Sequence, residues 1–140
     1  MRIVTVLPSH LDTDLVRGAG LTASEYTTLV NLSEAANHEL RMTDLAKATG
    51  LSASRTTRLV DDLQRRRLVT KVTSSADARS TRAKIASHGM AKLRSARKVR
   101  LESLRSRFYN HIGSTPVEQL ADALSRVARQ LEDSPHRRTK

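Results

Sequence analysis

The sequence contains no cysteine, and this absence excludes several kinds of site at once. Without thiols the chain has no disulfide framework, no thiolate nucleophile, no cysteine-based zinc finger and no thiol redox sensor. Aromatic residues are almost as scarce, since Tyr26, Phe108 and Tyr109 are the three in 140 residues. Domains that read single-stranded nucleic acid stack bases on several exposed rings, so we do not expect a reader of that kind.

Long apolar segments and catalytic motifs are also missing. No apolar run approaches the roughly 20 residues of a membrane span, and residues 1–8 are too short and too weakly basic for a signal peptide. The histidines lie in different segments, and there is no HExxH, no P-loop and no nucleotide-binding fingerprint. We therefore expect a cytoplasmic protein with no membrane partner, no cofactor, no bound metal and no enzymatic activity. The five histidines are His10, His38, His88, His111 and His136.

Positive charge is what the chain has in excess. Lys and Arg number 25 against 14 Asp and Glu, which gives a formal net charge of +11. Such a charge on a chain of this size favours a polyanionic partner, and nucleic acid before a membrane surface. Nineteen of the cations are Arg, whose guanidinium binds guanine edges and phosphates through two hydrogen bonds. A GC-rich genome is an alternative source of the arginine excess.

The N-terminal part of the chain contains two helix start signals. Residues 1–8 read as an extended arm, because a run of β-branched residues favours extended backbone. Ser9 and Asp12 then predict a cap for a helix of about two turns. Thr22 and Glu25 form a capping box, in which each side chain binds the backbone amide of the other residue.

The segment from residue 43 to residue 63 has the spacing of a helix-turn-helix. Ala46 is small enough for two helices to cross, and Gly50, four residues later, suits the tight turn between them. Thr43 and Ser52 predict the caps of the two helices. The second helix carries a set of side chains inward at helical spacing. These are Thr56, Leu59, Val60 and Leu63.

The second of these helices is predicted to enter the major groove of duplex DNA by its N-terminal end. Its first turns carry short or basic side chains, whereas Asp61 and Asp62 come where the helix leaves the groove. The alternative is that Arg55 and Arg58 are ordinary surface arginines. The candidate DNA-contacting residues are Ser52, Ser54, Arg55, Thr56, Thr57 and Arg58.

A basic β-hairpin is predicted to follow the helix-turn-helix. Residues 68–73 are β-rich, residues 74–81 are turn-prone, and residues 82–87 read as the return strand. Between Ser52 and Lys84, nine Lys and Arg stand against three Asp, a net charge of +6 on one predicted surface. Such a wing places its basic tip in the minor groove, where the potential is most negative at A·T tracts. The candidate contacts in its strands are Lys71 and Arg82.

The C-terminal part predicts helices suited to dimerisation. A long helix extends from about Ser87 to Ile112, and Thr115 with Pro116 and Glu118 marks the start of another. In that last helix apolar residues recur at intervals of 3 and 4, which are typical of a coiled-coil seam. With two residues of the first helix, the candidate dimerisation residues are Leu11, Leu15, Val117, Leu120, Leu124, Val127 and Leu131.

Taken together, these segments resemble the MarR family of transcription regulators over roughly residues 21–132. The residues that carry the resemblance are Leu21-Thr22, Glu25-Tyr26, Leu29, Asp44-Leu45-Ala46, Gly50-Leu51-Ser52, Arg55 to Asp61, Leu63, Asp77-Ala78-Arg79 and Gly89. The resemblance implies that Arg79 enters the minor groove while Asp77 holds it. A carboxylate two residues away is able to fix a guanidinium in this way. The alternative is that Asp77 caps a turn.

The resemblance also implies ligands. Many members of the family release DNA when a small, often phenolic, molecule enters a crevice near the dimer helices, for which Tyr26, Phe108 and Tyr109 are the candidates here. Packing in the core is the alternative role for these three. Some members sense zinc through His and acidic residues on different helices, and such a site stays open as an alternative to no metal.

Three departures from the family pattern matter. Arg67 stands where the family has glycine, at a cost of about 1 kcal/mol if the backbone there is left-handed. Ala86 stands where threonine is usual, which leaves Ser87 as the cap of the following helix. The first helix is predicted to be shorter than in the family.

The predicted fold is therefore mainly α with a small β-hairpin wing, a winged helix-turn-helix plus a helical dimerisation region. Residues 1–20 form an arm and a short helix for dimerisation, 21–87 the DNA-binding domain, 88–133 dimerisation helices, and 134–140 a disordered basic tail. The predicted function is that of a homodimeric, sequence-specific regulator of transcription, a repressor that binds a pseudo-palindromic operator in double-stranded DNA and that a small-molecule effector releases. The alternatives are a non-specific architectural DNA- or RNA-binding protein and a helical protein-interaction module.

Overall fold

The computed structural model describes residues 2–74, 77–113 and 116–133, with the backbone alone for residue 74 and for residues 77–80 and 131–133. Six α-helices and three β-strands lie in these ranges. In chain order they are α1 Ile3–Ala19, α2 Ala23–Glu34, β1 Glu39–Arg41, α3 Met42–Thr49, α4 Ala53–Arg65, β2 Val69–Ser74, β3 Asp77–Ile85, α5 Ser87–Arg107 and α6 Val117–Asp133. The predicted fold class, mainly α with a small β wing, is confirmed.

The chain divides into two compact units, Met1–Arg105 and Ser106–Lys140. The first unit contains α1 to α4, the sheet and nearly all of α5, and the second contains α6. The domain boundaries drawn from the sequence stay predictions. None of the helices in the described ranges is both long and apolar enough to cross a membrane.

The three strands form one antiparallel sheet in the order β1–β3–β2. The β2–β3 hairpin is the predicted wing, and β1 adds a third strand on the other edge of β3, with Leu40 opposite Ala83. The return strand begins at Asp77, so the prediction that it starts at Arg82 is wrong. The start of β3 is defined by backbone pairing with β2. Its side chains do not alternate between apolar and polar, so the sequence contains no periodicity that would predict a strand there.

The core of the first unit is aliphatic and joins α1, α2, α3, α4, α5 and the sheet. The partly buried Tyr26 packs against its surface. Because α4 contributes to this core along one face, its opposite face is fixed toward solvent. The largest fully buried side chains include Leu15, Leu21, Leu29, Leu32, Leu45, Leu63, Leu68 and Leu93.

The N-terminal segment is helical from Ile3, so the predicted extended arm and two-turn helix are wrong. Pro8 lies inside α1 and removes the amide that would bind the carbonyl of Val4, but Val4 is exposed and its carbonyl is able to bind water. Leu11 and Leu15 are buried along one face of α1, and their packing stabilises the helix. Helix propensity, which depends on each residue alone, does not include this tertiary packing. This burial within the chain corrects their assignment as surface contacts for a second copy.

Several predicted caps are confirmed. The hydroxyl of Thr22 accepts a hydrogen bond from the amide of Glu25 at 3.3 Å, and the Glu25 carboxylate accepts one from the amide of Thr22 at 2.7 Å. Ser52 accepts from the amide of Arg55 at 3.3 Å, and Gly50 ends α3 in the left-handed conformation, with φ at 68°. These bonds join residues close in sequence, which is why the sequence predicts them.

Other predicted boundaries are wrong. Asp12 does not cap its own helix, because its carboxylate accepts a hydrogen bond from the amide of Ala23 at 2.5 Å, across to α2. Helix α3 begins at Met42 rather than at a Thr43 cap, because pairing with β3 holds Arg41 extended as the last residue of β1.

Helix α5 ends at Arg107 instead of extending to Ile112. A 3-10 turn over Tyr109–His111 follows it, and Tyr, Asn and His are weak helix formers. Thr115, the predicted cap of the last helix, lies outside the described residues.

Arg67, which follows the C-terminal end of α4, has a left-handed backbone with φ at 59°. Glycine adopts this conformation without the clash of a Cβ atom, so Arg67→Gly is expected to raise the free energy of unfolding by about 1 kcal/mol. Urea denaturation measures this change. Arg67→Ala is the control, because it removes the charge and keeps the Cβ atom, and equal stabilisation by both variants would contradict the backbone explanation.

Candidate nucleic-acid interface

Helices α3 and α4 form the predicted helix-turn-helix. The amide of Gly50 donates to the carbonyl oxygens of Ala46 and Lys47, and the amide of Leu51 donates to Ala46 at 3.1 Å. These bonds terminate α3, and Ser52 is the N-cap of α4. Leu45 anchors α3 in the core. The turn is therefore fixed on both sides by backbone hydrogen bonds.

Helix α4 has two opposite faces. Thr56, Val60 and Leu63 are buried, and by helical spacing the centre of the opposite face is formed by Ser54 and Arg58, which are exposed. The exposed Arg55 and Thr57 lie on the two flanks of that face. Side chains that are short or basic therefore occupy the exposed side of the first two turns.

Thr56 does not belong to the exposed face. Its side chain is 2% exposed, and its hydroxyl donates to the carbonyl of Ser52 at 3.0 Å. This corrects the assignment of Thr56 as a DNA-contacting residue and confirms its predicted inward position. Helical spacing predicts that Thr56 faces the core, whereas a contact with DNA requires that it face solvent. The burial of the side chain decides for the core.

The polar groups at the start of α4 are ordered by local hydrogen bonds. The hydroxyls of Ser52 and Ser54 lie 3.3 Å apart, and the hydroxyl of Thr57 donates to the carbonyl of Ala53 at 3.0 Å. Nε of Arg58 donates to the carbonyl of Ser54 at 3.4 Å. Within the described residues neither Arg55 nor Arg58 forms an ion pair, so both guanidinium groups are available to an anion.

An open groove of about 560 Å³ lies between the start of α2 and the exposed side of α4. It contains Arg55 and Arg58 together with the hydroxyls at the start of α2, which are hydrogen-bonding groups suited to the acceptor atoms of DNA. The carboxylates of Glu25 and Asp62 lie beside them. The lining residues are Thr22, Ser24, Glu25, Leu51, Arg55, Arg58, Leu59 and Asp62.

Two cations in the strands of the wing pair with carboxylates of the same domain. Lys71 pairs with Asp61 of α4, and Arg82 pairs with Glu39 of β1 at 2.7 Å. Both are partly buried, so these predicted DNA contacts also fix the wing against α4 and β1. The side chains of the other two wing candidates, Asp77 and Arg79, lie outside the described part of the chain.

Arg66 is a residue whose role the sequence reading missed. The net charge of the predicted DNA-binding surface includes Arg66. Its guanidinium instead donates to the Glu25 carboxylate at 2.7 Å and to the Gly20 carbonyl at 2.6 Å. The partners lie more than forty residues earlier in the chain, so no local pattern reveals them.

The candidate ligand residues lie in both units. In the first unit the guanidinium carbon of Arg100 is 6.0 Å from the centre of the half-buried Tyr26 ring. In the second unit Phe108 and Tyr109 form an edge-to-face pair with ring centres 5.5 Å apart. Among the described residues no cluster of three or more His, Asp or Glu side chains is able to hold a metal ion.

The seam of α6 is largely exposed. Leu124 and Val127 each expose 56% of their surface, and Val117 exposes 42%. Leu120 is half-buried, and the side chain of Leu131 is outside the described set. A row of exposed aliphatic side chains on one helix is typical of a protein–protein contact.

Comparison with known proteins identifies the fold and a family that matches part of the chain. Residues 19–80 match the model of the MarR family. The DNA-bound structure of Sco3205, a MarR family transcriptional regulator from Streptomyces coelicolor, is 28% identical with a TM-score of 0.84, over 96% of this chain and 83% of that one. The chain therefore matches the MarR family over residues 19–80, and it has the winged-helix fold of MarR-family transcriptional regulators.

Two further solved structures agree over most of the chain. AbsC from Streptomyces coelicolor is 29% identical with a TM-score of 0.78, over 95% of this chain and 89% of that one. CouR from Rhodococcus jostii RHA1, solved with p-coumaroyl-CoA bound, is 25% identical with a TM-score of 0.71, over 91% of this chain and 87% of that one. No curated protein matches the sequence significantly.

Proposed function

We propose that this protein is a MarR-family regulator that binds double-stranded DNA sequence-specifically as a homodimer, through a pseudo-palindromic operator. The observation that carries the proposal is the exposed face of α4, where Ser54 and Arg58 stand opposite the buried Thr56, Val60 and Leu63. A helix held in this way presents its first turns to base edges in the major groove. Arg58, Arg55, Thr57 and Ser54 supply the sequence choice.

The exposed seam of α6 supports the homodimer. Leu124 and Val127 present aliphatic surface to solvent, which a second copy of the same helix would cover. A two-fold dimer places two recognition helices on half-sites about one helical turn apart. Occupation of such a site excludes other proteins from the same DNA, and on this ground we propose repression of transcription. Transcription in vitro from a promoter that carries the operator should fall as protein is added.

The experiment that tests the function is selection of duplexes from a random pool at about 150 mM salt, followed by sequencing. We expect an inverted repeat with half-sites about one turn apart. Enrichment of a single half-site would contradict the homodimer. Tight binding with a steep salt dependence and no enriched sequence would instead support the architectural alternative, which the exposed cations of α5, Arg94, Lys98 and Arg105, favour.

A small organic effector is the second part of the proposal. The bound p-coumaroyl-CoA of CouR supports it, and Tyr26, Phe108 and Tyr109 stay the candidate contacts. Once the operator is known, the proposal predicts that an aromatic acid or its thioester lowers operator affinity at saturating concentration. Operator affinity that no such compound changes would remove the effector from the proposal.

A further inference from the structure

A hydrogen-bonded junction centred on Arg66 joins α1, α2 and α4. Nη1 of Arg66 donates to Oε1 of Glu25 at 2.7 Å, and Nη2 donates to the carbonyl oxygen of Gly20 at 2.6 Å. A longer contact of 3.5 Å links Nη1 to Asp62, one turn earlier in α4. Since Arg66 is the C-cap residue of α4, these bonds connect the end of α4 to the loop between α1 and α2.

The partners of Arg66 are themselves fixed. Oε2 of Glu25 accepts the amide of Thr22 in the capping box, while Oε1 accepts from Arg66, and the Glu25 side chain is only 12% exposed. Gly20 ends α1 in the left-handed conformation. The amide of Ala23, which follows Thr22 in the chain, donates to the carboxylate of Asp12 in α1. The end of α1, the start of α2 and the end of α4 therefore share one network.

This geometry assigns the Arg66 guanidinium to hydrogen bonds within the protein instead of to a contact with phosphate. Two of its nitrogens are directed into the protein, and the side chain is 34% exposed. The planar fork of arginine reaches a carboxylate and a carbonyl at once, whereas the single ammonium of lysine does not reproduce that fixed geometry. Arg65, the preceding residue, differs sharply, since its side chain is 76% exposed and pairs with Asp62 on the surface.

We propose that Arg66 is a positioning residue, which fixes the angle between α4 and α1 and thereby the sequence selectivity of DNA binding, without touching DNA. The proposal rests on the proposed function. Base contacts hold only when the helix that carries them is fixed to within about 0.5 Å and 10–20°. Arg66 supplies this restraint at the C-terminal end of α4, and Lys71 paired with Asp61 supplies one toward the wing.

The test compares Arg66→Gln and Arg66→Lys with the matched control Arg65→Gln. Hydrogen exchange at the amides of Thr22, Ala23 and Glu25 reports on the junction without DNA. The second measurement is the ratio of operator affinity to non-specific affinity, and the third is the slope of log K against log salt concentration. Circular dichroism and thermal midpoints establish that each variant is folded, and Arg66→Lys retains the charge if Arg66→Gln is too unstable to measure.

We expect both Arg66 variants to raise exchange at the junction and to lower the affinity ratio by about tenfold, the equivalent of about one mismatched base pair. The salt slope should stay at the wild-type value, because no phosphate contact is lost. Arg65→Gln should leave exchange and the affinity ratio unchanged.

Four outcomes would overturn the proposal. A slope reduced by about 0.9 in Arg66→Gln, with wild-type behaviour in Arg66→Lys, would make Arg66 a phosphate contact. Faster exchange with an unchanged affinity ratio would make it a structural residue only. A wild-type sequence preference that both variants retain would overturn this proposal alone, whereas a wild-type protein without sequence preference would overturn the proposed function as well.

Discussion

Arg58→Ala is expected to weaken operator binding by about 1–3 kcal/mol and to relax sequence choice at one position of each half-site. Arg58 lies at the centre of the exposed face of α4, and within the described residues it has no acidic partner to hold it away from DNA. Removal of a guanidinium that binds a guanine edge costs both affinity and discrimination. Binding of the selected operator and of single-base variants of it measures both quantities.

The matched control for Arg58→Ala is Arg94→Ala, which removes one exposed arginine from α5. It is expected to leave the base preference unchanged. Arg55→Ala, on the flank of the same turn, should fall in the same range of about 1–3 kcal/mol. If Arg58→Ala weakens all sequences equally, Arg58 contacts phosphate and the assignment of a base contact is wrong.

Gly89→Ala is expected to lower the free energy of unfolding by about 3 kcal/mol, which corresponds to roughly 10 °C in Tm. Gly89 lies in the first turn of α5, where an added Cβ atom would meet the carbonyl oxygen of Leu68 at 2.1 Å and Cγ1 of Ile85 at 2.9 Å. The Leu68 carbonyl already accepts the amide of Ala86 at 2.9 Å, so it is not free to move away. Thermal and urea denaturation measure the loss.

Gly50→Ala serves as the comparison for Gly89→Ala. At Gly50 an added Cβ atom meets no heavy atom of the described chain within 4 Å, and its cost is the left-handed backbone alone, about 1–2 kcal/mol. A loss at Gly89 no larger than the loss at Gly50 would show that α5 shifts away from the sheet without resistance.

Sequence reasoning succeeded at α3 and α4 because the signals there are local. Ala46, Gly50 and Ser52 are placed by hydrogen bonds to residues three to five positions away, and such spacing is visible in one dimension. The left-handed backbone of Arg67 agrees with the glycine that the family has at this position, which is a signal of the resemblance and not of local spacing.

The same reasoning failed where burial outweighs local preference. The β-branched residues before Pro8 favour extended backbone, yet packing of Leu11, Leu15 and Ala19 makes the whole segment helical. The start of α3 is a second such place, because pairing with β3, whose residues follow about forty positions later, holds Arg41 extended and the helix begins directly after it, at Met42.

The sequence by itself determined the resemblance to the MarR family, the helix-turn-helix and the basic character of its exposed face, because these depend on neighbours in the chain and on composition. Only the tertiary structure decided which cations are available to DNA. Arg66 and Arg82 find their carboxylate partners 41 and 43 residues away, whereas within the described residues Arg58 has a backbone contact in its own helix and no ion pair. The physical reason is that an ion pair depends on distance in space, and distance in space between remote residues exists only once the core has closed.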